Sequence, residues 1–296
     1  MSRALFRILR HLFPRESKQG QHGAIRARLC SRYCDLELLE DRLAPAVFNV
    51  NSLADILNPP SGTVTLRSAI QAANATPGNN TINLTIPGTY KITLNGSGED
   101  KNATGDFDII PNSASPPGSS LTIVNTSGQA VTVDGNHLDR VFDINPADAS
   151  IPANFTVIFG GPQAAQGFTI TGGMTPVAEF NLGGGGGIED QGNVNLTLSS
   201  MVVTGNFAND DGGGIAMWDF ADASWTLSLN SSTISNNSAN DAGGGVFSNG
   251  TGKILITAGT VITGNLAFNQ GGGIWLDSIG QDSANLTMDG TLVSNN

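Results

Sequence analysis

Asp210 and Asp211 stand directly before Gly212-Gly213-Gly214, and Asp241 stands before Gly243-Gly244-Gly245 at the position of Asp210. If the two segments stack, Asp210 and Asp241 lie about 5 Å apart, the spacing of paired strands. Glycoside hydrolysis needs two carboxyls about 5–10 Å apart, so this is an allowed acid pair. Asp210, Asp211, Asp241 and Asn269 together also make an oxygen-rich column of the kind Ca2+ takes, with its six to eight ligands. The plainer reading gives the same residues to tight corners, where Asp and Asn satisfy turn backbone. Glu189, Asp190, Asp219 and Asp222 are expected on a different corner.

The rest of a catalytic apparatus is sparse. Polygalacturonase-like hydrolysis adds a histidine and a basic residue, and the body's one histidine is His137, far upstream. A lyase draws a proton from a uronate with Arg or Lys, and from Gly160 onward the only basic residue is Lys253, expected at a solvated strand edge. The glycine runs are not phosphate-binding loops, since no GK[ST] and no strand–helix unit follows them.

Composition points the same way. The chain has 38 glycines in 296 residues, and 13% charged residues where a globular protein has about 25%. Asn, Thr, Ser and Asp solvate it instead, which suits turns over helix interiors. Through Pro45 nine basic residues face five acidic ones; after it five face twenty. So acidic a body repels nucleic acid and anionic lipid. The cysteines, Cys30 and Cys34, both lie in the basic leader, so no disulfide frames the body. A metal site or lipid attachment there competes with incidental cysteines. No apolar stretch is long enough for a transmembrane helix.

What must position the acids is a repeat. Three-glycine runs followed by a β-branched residue occur at Gly185 to Ile188, Gly212 to Ile215, Gly243 to Val246 and Gly271 to Ile274, at intervals of 27, 31 and 28 residues. Each leads to alternating apolar residues: Leu196 and Leu198, Leu227 and Leu229, Ile254 and Ile256, Leu286 and Met288. A second short strand follows at Val203, Ile234, Ile262 and Val293, then Asn206, Asn237, Asn265 and Asn296. Period-2 alternation over a few residues means short half-buried strands. One such unit cannot bury its apolar face, but stacked units can. The expected fold is an all-β, right-handed parallel β-helix of nine or ten coils, about 45 Å long. Asn columns should form hydrogen-bonded ladders in a left-handed turn conformation, and the glycines should supply positive φ and close approach between coils. Propeller blades run to about 40–50 residues and RTX-type calcium repeats to nine, so neither fits. The variable corner carries the loops, the longest from Asp219 to Ser224. Trp218, Phe247 and Trp275 follow glycine runs, and exposed aromatics there could stack on sugars; facing the bore or capping a loop is the more usual role of such residues. Trp225 is expected in the core.

Upstream, Thr65 to Asn74 reads as a helix with the apolar stripe Leu66, Ala69, Ile70 and Ala73, capped by Thr65 and ended by Pro77-Gly78. A helix before a solenoid reads as a plug over the first open coil. This segment resembles the CSLREA-type domain that opens many bacterial β-helix surface proteins, with Gly98 to Ile109 and Val133 to Ile144 similar to its later pieces. It departs where Val64 replaces the family's Cys and Ser68 its Glu. The glycine-aliphatic repeats are similar to those of polymorphic outer-membrane-type passengers. Leu36 to Ala46 resembles the LExLEDR-type export motif of planctomycete surface proteins.

The expected organisation is a basic leader over 1–46, an N-terminal cap and first coils over 47–159, and regular coils over 160–296. The resemblance implies an exported cell-surface or extracellular protein and says little of its chemistry; the expected function is non-catalytic, adhesin-like or structural, meeting glycans or other surface proteins, with no nucleic acid for a body this acidic. The alternative is a carbohydrate-active hydrolase or lyase. The sequence stops in mid-coil at Asn296, so a truncated gene product, or another chain over that end, is expected.

Overall fold

The computed structural model describes residues 44–146, 151–175, 184–192, 194–218, 225–279, 282–283 and 285–296. The leader through residue 43, with Cys30 and Cys34, and the loop carrying Asp219 and Asp222 lie outside them.

The chain is a parallel β-helix, right-handed as parallel crossovers are. Three long sheets form its walls. The first holds eight parallel strands: Ala46–Val50, Asn80–Leu84, Ser120–Asn125, Thr156–Gly160, Asn195–Ser199, Thr226–Asn230, Lys253–Ile256 and Asn285–Met288. The second holds Phe107–Ile109, Phe142–Ile144, Ile188–Gln191, Ile215–Trp218, Val246–Asn249 and Ile274–Ile279, with the antiparallel Asp282–Ser283 at its edge. The third begins at Gly88–Lys91 and runs through Val131–Asp134, Thr169–Thr171, Val202–Thr204, Thr233–Ser235 and Val261–Thr263 to Leu292–Ser294. Two-residue strands at Phe207–Ala208, Ser238–Ala239 and Leu266–Ala267 form a short fourth. Eight layers, not nine or ten, are present among the described residues. At roughly 4.8 Å per step they span about 34 Å.

Registry follows the sequence repeat. Leu198, Leu229 and Ile256 stand in one file with Phe159 and Met288. Val203, Ile234, Ile262 and Val293 stand in another. Their inward faces merge in one continuous core. No described helix is long and apolar enough to cross a membrane.

The helix Leu66–Ala75 closes the first layer. Ser68 N–H donates to Thr65 Oγ1, and Thr65 N–H donates back to Ser68 Oγ, a capping box that satisfies two orphan donors. Leu66, Ala69, Ile70 and Ala73 turn into the bore beside Val50 and Ile82.

The asparagine ladder is built as expected. Asn206 Nδ2 donates to Asn237 Oδ1, Asn237 Nδ2 to Asn265 Oδ1, and Asn265 Nδ2 to Asn296 Oδ1, at 2.9–3.0 Å. The left-handed residue, however, is not the ladder asparagine. It is the residue before it: Gly205, Asn236, Gly264 and Asn295 all have φ between 53° and 67°. Reversing the chain one residue earlier leaves the amide free to face along the helix axis. Asn237→Ala removes bonds to Asn265 Oδ1 and Val203 O and orphans the buried Asn206 N–H. We expect it to cost about 2–4 kcal/mol in urea unfolding, at about 1–3 kcal/mol per orphaned buried group; a loss under about 1 kcal/mol would show that the ladder carries little.

Candidate functional site

The middle residues of the second sheet form one file that changes character along the helix. Asp108 pairs in register with Asp143, and Asp143 with Glu189. The file continues as Ala216, Phe247 and Trp275. Three stacked carboxyls in adjacent layers repel one another. Each is nearly solvent-free, so the repulsion is poorly screened.

One guanidinium answers them. Arg140 Nη1 lies 2.6 Å from Asp143 Oδ2 and 3.6 Å from Asp106 Oδ2, and its Nη2 lies 2.9 Å from Glu189 Oε2. Gln191 Nε2 donates to Asp143 Oδ2 at 3.3 Å. Burial, then the neighbouring Asp143, pushes the Asp108 carboxyl up to about 8. Burial, then Asp108 and Asp139, holds Asp106 well above the usual carboxylate range despite Arg140.

A second arginine roofs this nest. Arg67, fully buried on the first turn of the helix, donates to both oxygens of Asp55 and to the carbonyls of Gly105 and Asp106. Its guanidinium lies 4.7 Å over the Phe107 ring. Asn102 turns in a left-handed conformation, donates its Nδ2 to Arg67 O, and gives its backbone N–H to Asp108. The helix thus pins segment 102–106 over the acids. Sequence reasoning assigned Arg67, Arg140 and this nest no role.

The turn acids come together as expected. Asp210, Asp211 and Asp241 each offer an oxygen within 4.8 Å of the others. Asp241 N–H donates to Asp210 O and Asn269 N–H to Asp241 O, so Asp210, Asp241 and Asn269 follow one another up the corner. Their polar atoms serve the turn: Ala242 N–H donates to Asp211 Oδ1 at 2.8 Å, and Asn269 Nδ2 to Asp241 Oδ1 at 2.6 Å. This supports the corner role, with the amide of Asn269 acting as donor.

Burial pushes the Asp211 carboxyl up to about 7; the Ala242 N–H pulls it down, and Asp210, Asp241 and Asp277 add to the rise. A folded value above the unfolded one means that the stabilising contribution is complete below about pH 4 and is lost as pH rises through 7. Asp211→Asn should match wild type near pH 4 and melt a few degrees higher at pH 8. Parallel melting curves at both pH values would contradict this.

Two expectations need correction. Trp218 and Phe247 are buried rather than exposed, and Trp275 is half-buried. Trp218 and Phe247 pack with ring centroids 4.9 Å apart against Ala216 and Ala242, because the Asp241–Gly243 corner folds over them. Their faces are therefore closed to sugar rings. Trp225 is in the core, as expected. Glu189 and Asp190 sit in a strand, not on a corner. Asp190 occupies an inward file between Ile144 and Met217 with both carboxyl oxygens unbonded, and burial raises its pKa well above the usual range.

No known protein family, curated protein or solved structure matches the chain.

Proposed function

We propose that the chain is an exported cell-surface or extracellular protein that acts as a rigid polar rod, adhesin-like or structural, engaging glycans or other surface proteins without turning them over. The observation that carries this reading is the outward face of the third sheet. Thr171, Thr204, Ser235, Thr263 and Ser294 follow one another in register, and hydroxyls meet at 3.2 Å between Thr204 and Ser235 and 3.3 Å between Thr263 and Ser294. The file carries one hydroxyl per coil from Thr171 to Ser294, half-buried except for the buried Ser235, and continues upstream as Asp134 and Lys91. Of the body's five basic side chains, Arg67 and Arg140 are buried in ion pairs and Lys91 lies 3.7 Å from Asp134, which leaves Lys101 and Lys253, both exposed, to serve a polyanion lyase. The segment resembling the LExLEDR motif supports export.

The second reading, a carbohydrate-active hydrolase, draws on the close approach of Asp210, Asp211 and Asp241, and on the raised Asp211 carboxyl, which suits a general acid near neutral pH. A glycan array followed by reducing-end analysis separates the two. Retention of a glycan with no new reducing ends supports the rod. Release of reducing or unsaturated ends, abolished in Asp211→Asn, supports the enzyme.

A further inference from the structure

We propose that the nest formed by Asp106, Asp108 and Asp143 is a buried Ca2+ site that locks the N-terminal layers together. One oxygen of each carboxyl lies within 4.8 Å of the others. Oxygens held about 2.3–2.6 Å from a common centre would lie this close, which is the Ca2+ distance. The acids come from two adjacent coils, because Asp108 and Asp143 face each other across the second sheet.

Proximity of acids alone says little, but Asp108 supplies an independent sign. The residue is 1% exposed, its Oδ2 takes the Asn102 N–H, and its Oδ1 is buried with no hydrogen-bond partner. An anionic oxygen shut away without a donor is strongly unfavourable. A cation bound by the trio would supply the missing partner.

Charge balance agrees. Arg140 is shared among Asp106, Asp143 and Glu189, and Asp108 and Asp139 also lie beside Asp106, so the carboxyls outnumber the guanidinium that bridges them. A divalent ion would offset part of this excess. The trio is too enclosed to hold a hydrated Mg2+, which keeps several waters, whereas Ca2+ accepts an all-protein oxygen cage. The ion would join the Phe107–Ile109 strand to the Phe142–Ile144 strand beneath segment 102–106, which Arg67 already holds.

The test uses the full chain, stripped with EGTA and re-equilibrated with CaCl2 or MgCl2. Elemental analysis should find about one Ca2+ per chain. The thermal midpoint should rise by roughly 5 °C or more at a Ca2+ concentration about 100-fold over Kd, with a much smaller response to Mg2+. Asp108→Asn should abolish both the stoichiometric ion and the shift, whereas Asp211→Asn should keep them. The proposal is overturned if wild type holds no stoichiometric Ca2+, if Mg2+ acts equally, or if Asp211→Asn is the variant that loses the response. It is equally overturned if Asp108→Asn melts higher than wild type with Ca2+ indifferent, since protons would then be neutralising the nest. Should Asp108→Asn fail to fold, the wild-type stoichiometry and the Ca2+/Mg2+ comparison still decide.

Discussion

Arg140→Met lowers folding stability by about 3–5 kcal/mol at pH 8 in EGTA, and most of the loss returns near pH 4. The methionine keeps the bulk of the aliphatic stem, so packing changes little. What goes is the guanidinium that bridges the carboxyls of Asp106, Asp143 and Glu189, whose side chains are 1–4% exposed. Deleting one partner of a buried ion pair costs more than the pair contributes, because the remaining charges stay in a medium that cannot solvate them. Without Arg140 the folded carboxyls bind protons more tightly than the unfolded ones. The deficit is therefore full above their raised folded pKa values and shrinks as pH falls towards the unfolded value of about 4. Urea midpoints for wild type and variant at pH 4, 6 and 8 give the result. A deficit that did not vary with pH would assign the loss to packing.

This nest was hidden in the sequence for a physical reason, while the fold around it was legible. Leu198, Leu229 and Ile256 could be placed in one file because each stands at a fixed offset from a glycine run, and alternation alone sends such residues inward. The segments Phe107-Asp108-Ile109 and Phe142-Asp143-Ile144 show the same alternation, and it turns the acids outward. Alternation does not say what covers the outward side. Here the cover comes from Asn102 and from Arg67 on the helix, contacts that join residues 35 or more apart. A signal was nevertheless present. The body has two arginines, Arg67 and Arg140, and both lie upstream of the regular glycine runs, amid most of the stacked acids. The aromatic end of the same file misled for the mirror-image reason. Phe247 alternates outward and should be wet, but the turn at Ala242 folds back over it. In a β-helix the period fixes the bore, and the loops decide which outer residues are buried.

Gly213→Ala should destabilise the chain by about 4 kcal/mol or more, a large effect for a single methyl group. The three glycines of a run serve different ends. The first, Gly212, has φ +66°, a conformation that side chains resist. Gly213 does not; its constraint is contact. A Cβ there would lie 2.3 Å from Ser238 O and 2.6 Å from Gly244 O, both backbone of the next coil. Those atoms cannot rotate away as a side chain would. The coils would have to part, stretching the bond from Gly213 N–H to Gly243 O and that from Gly214 N–H to Gly244 O. Gly118→Ala is the fitting control: it has φ +79° and open space around it, so it should lose only the left-handed penalty of about 1–2 kcal/mol. Equal urea midpoints for the two variants would mean that the coils are not held apart by glycine alone. The same position recurs as Gly186 and Gly244, each with a carbonyl 2.3–2.4 Å from the missing Cβ. Alanine at either should therefore cost about as much as at Gly213, because the cost follows the closeness of the neighbouring backbone.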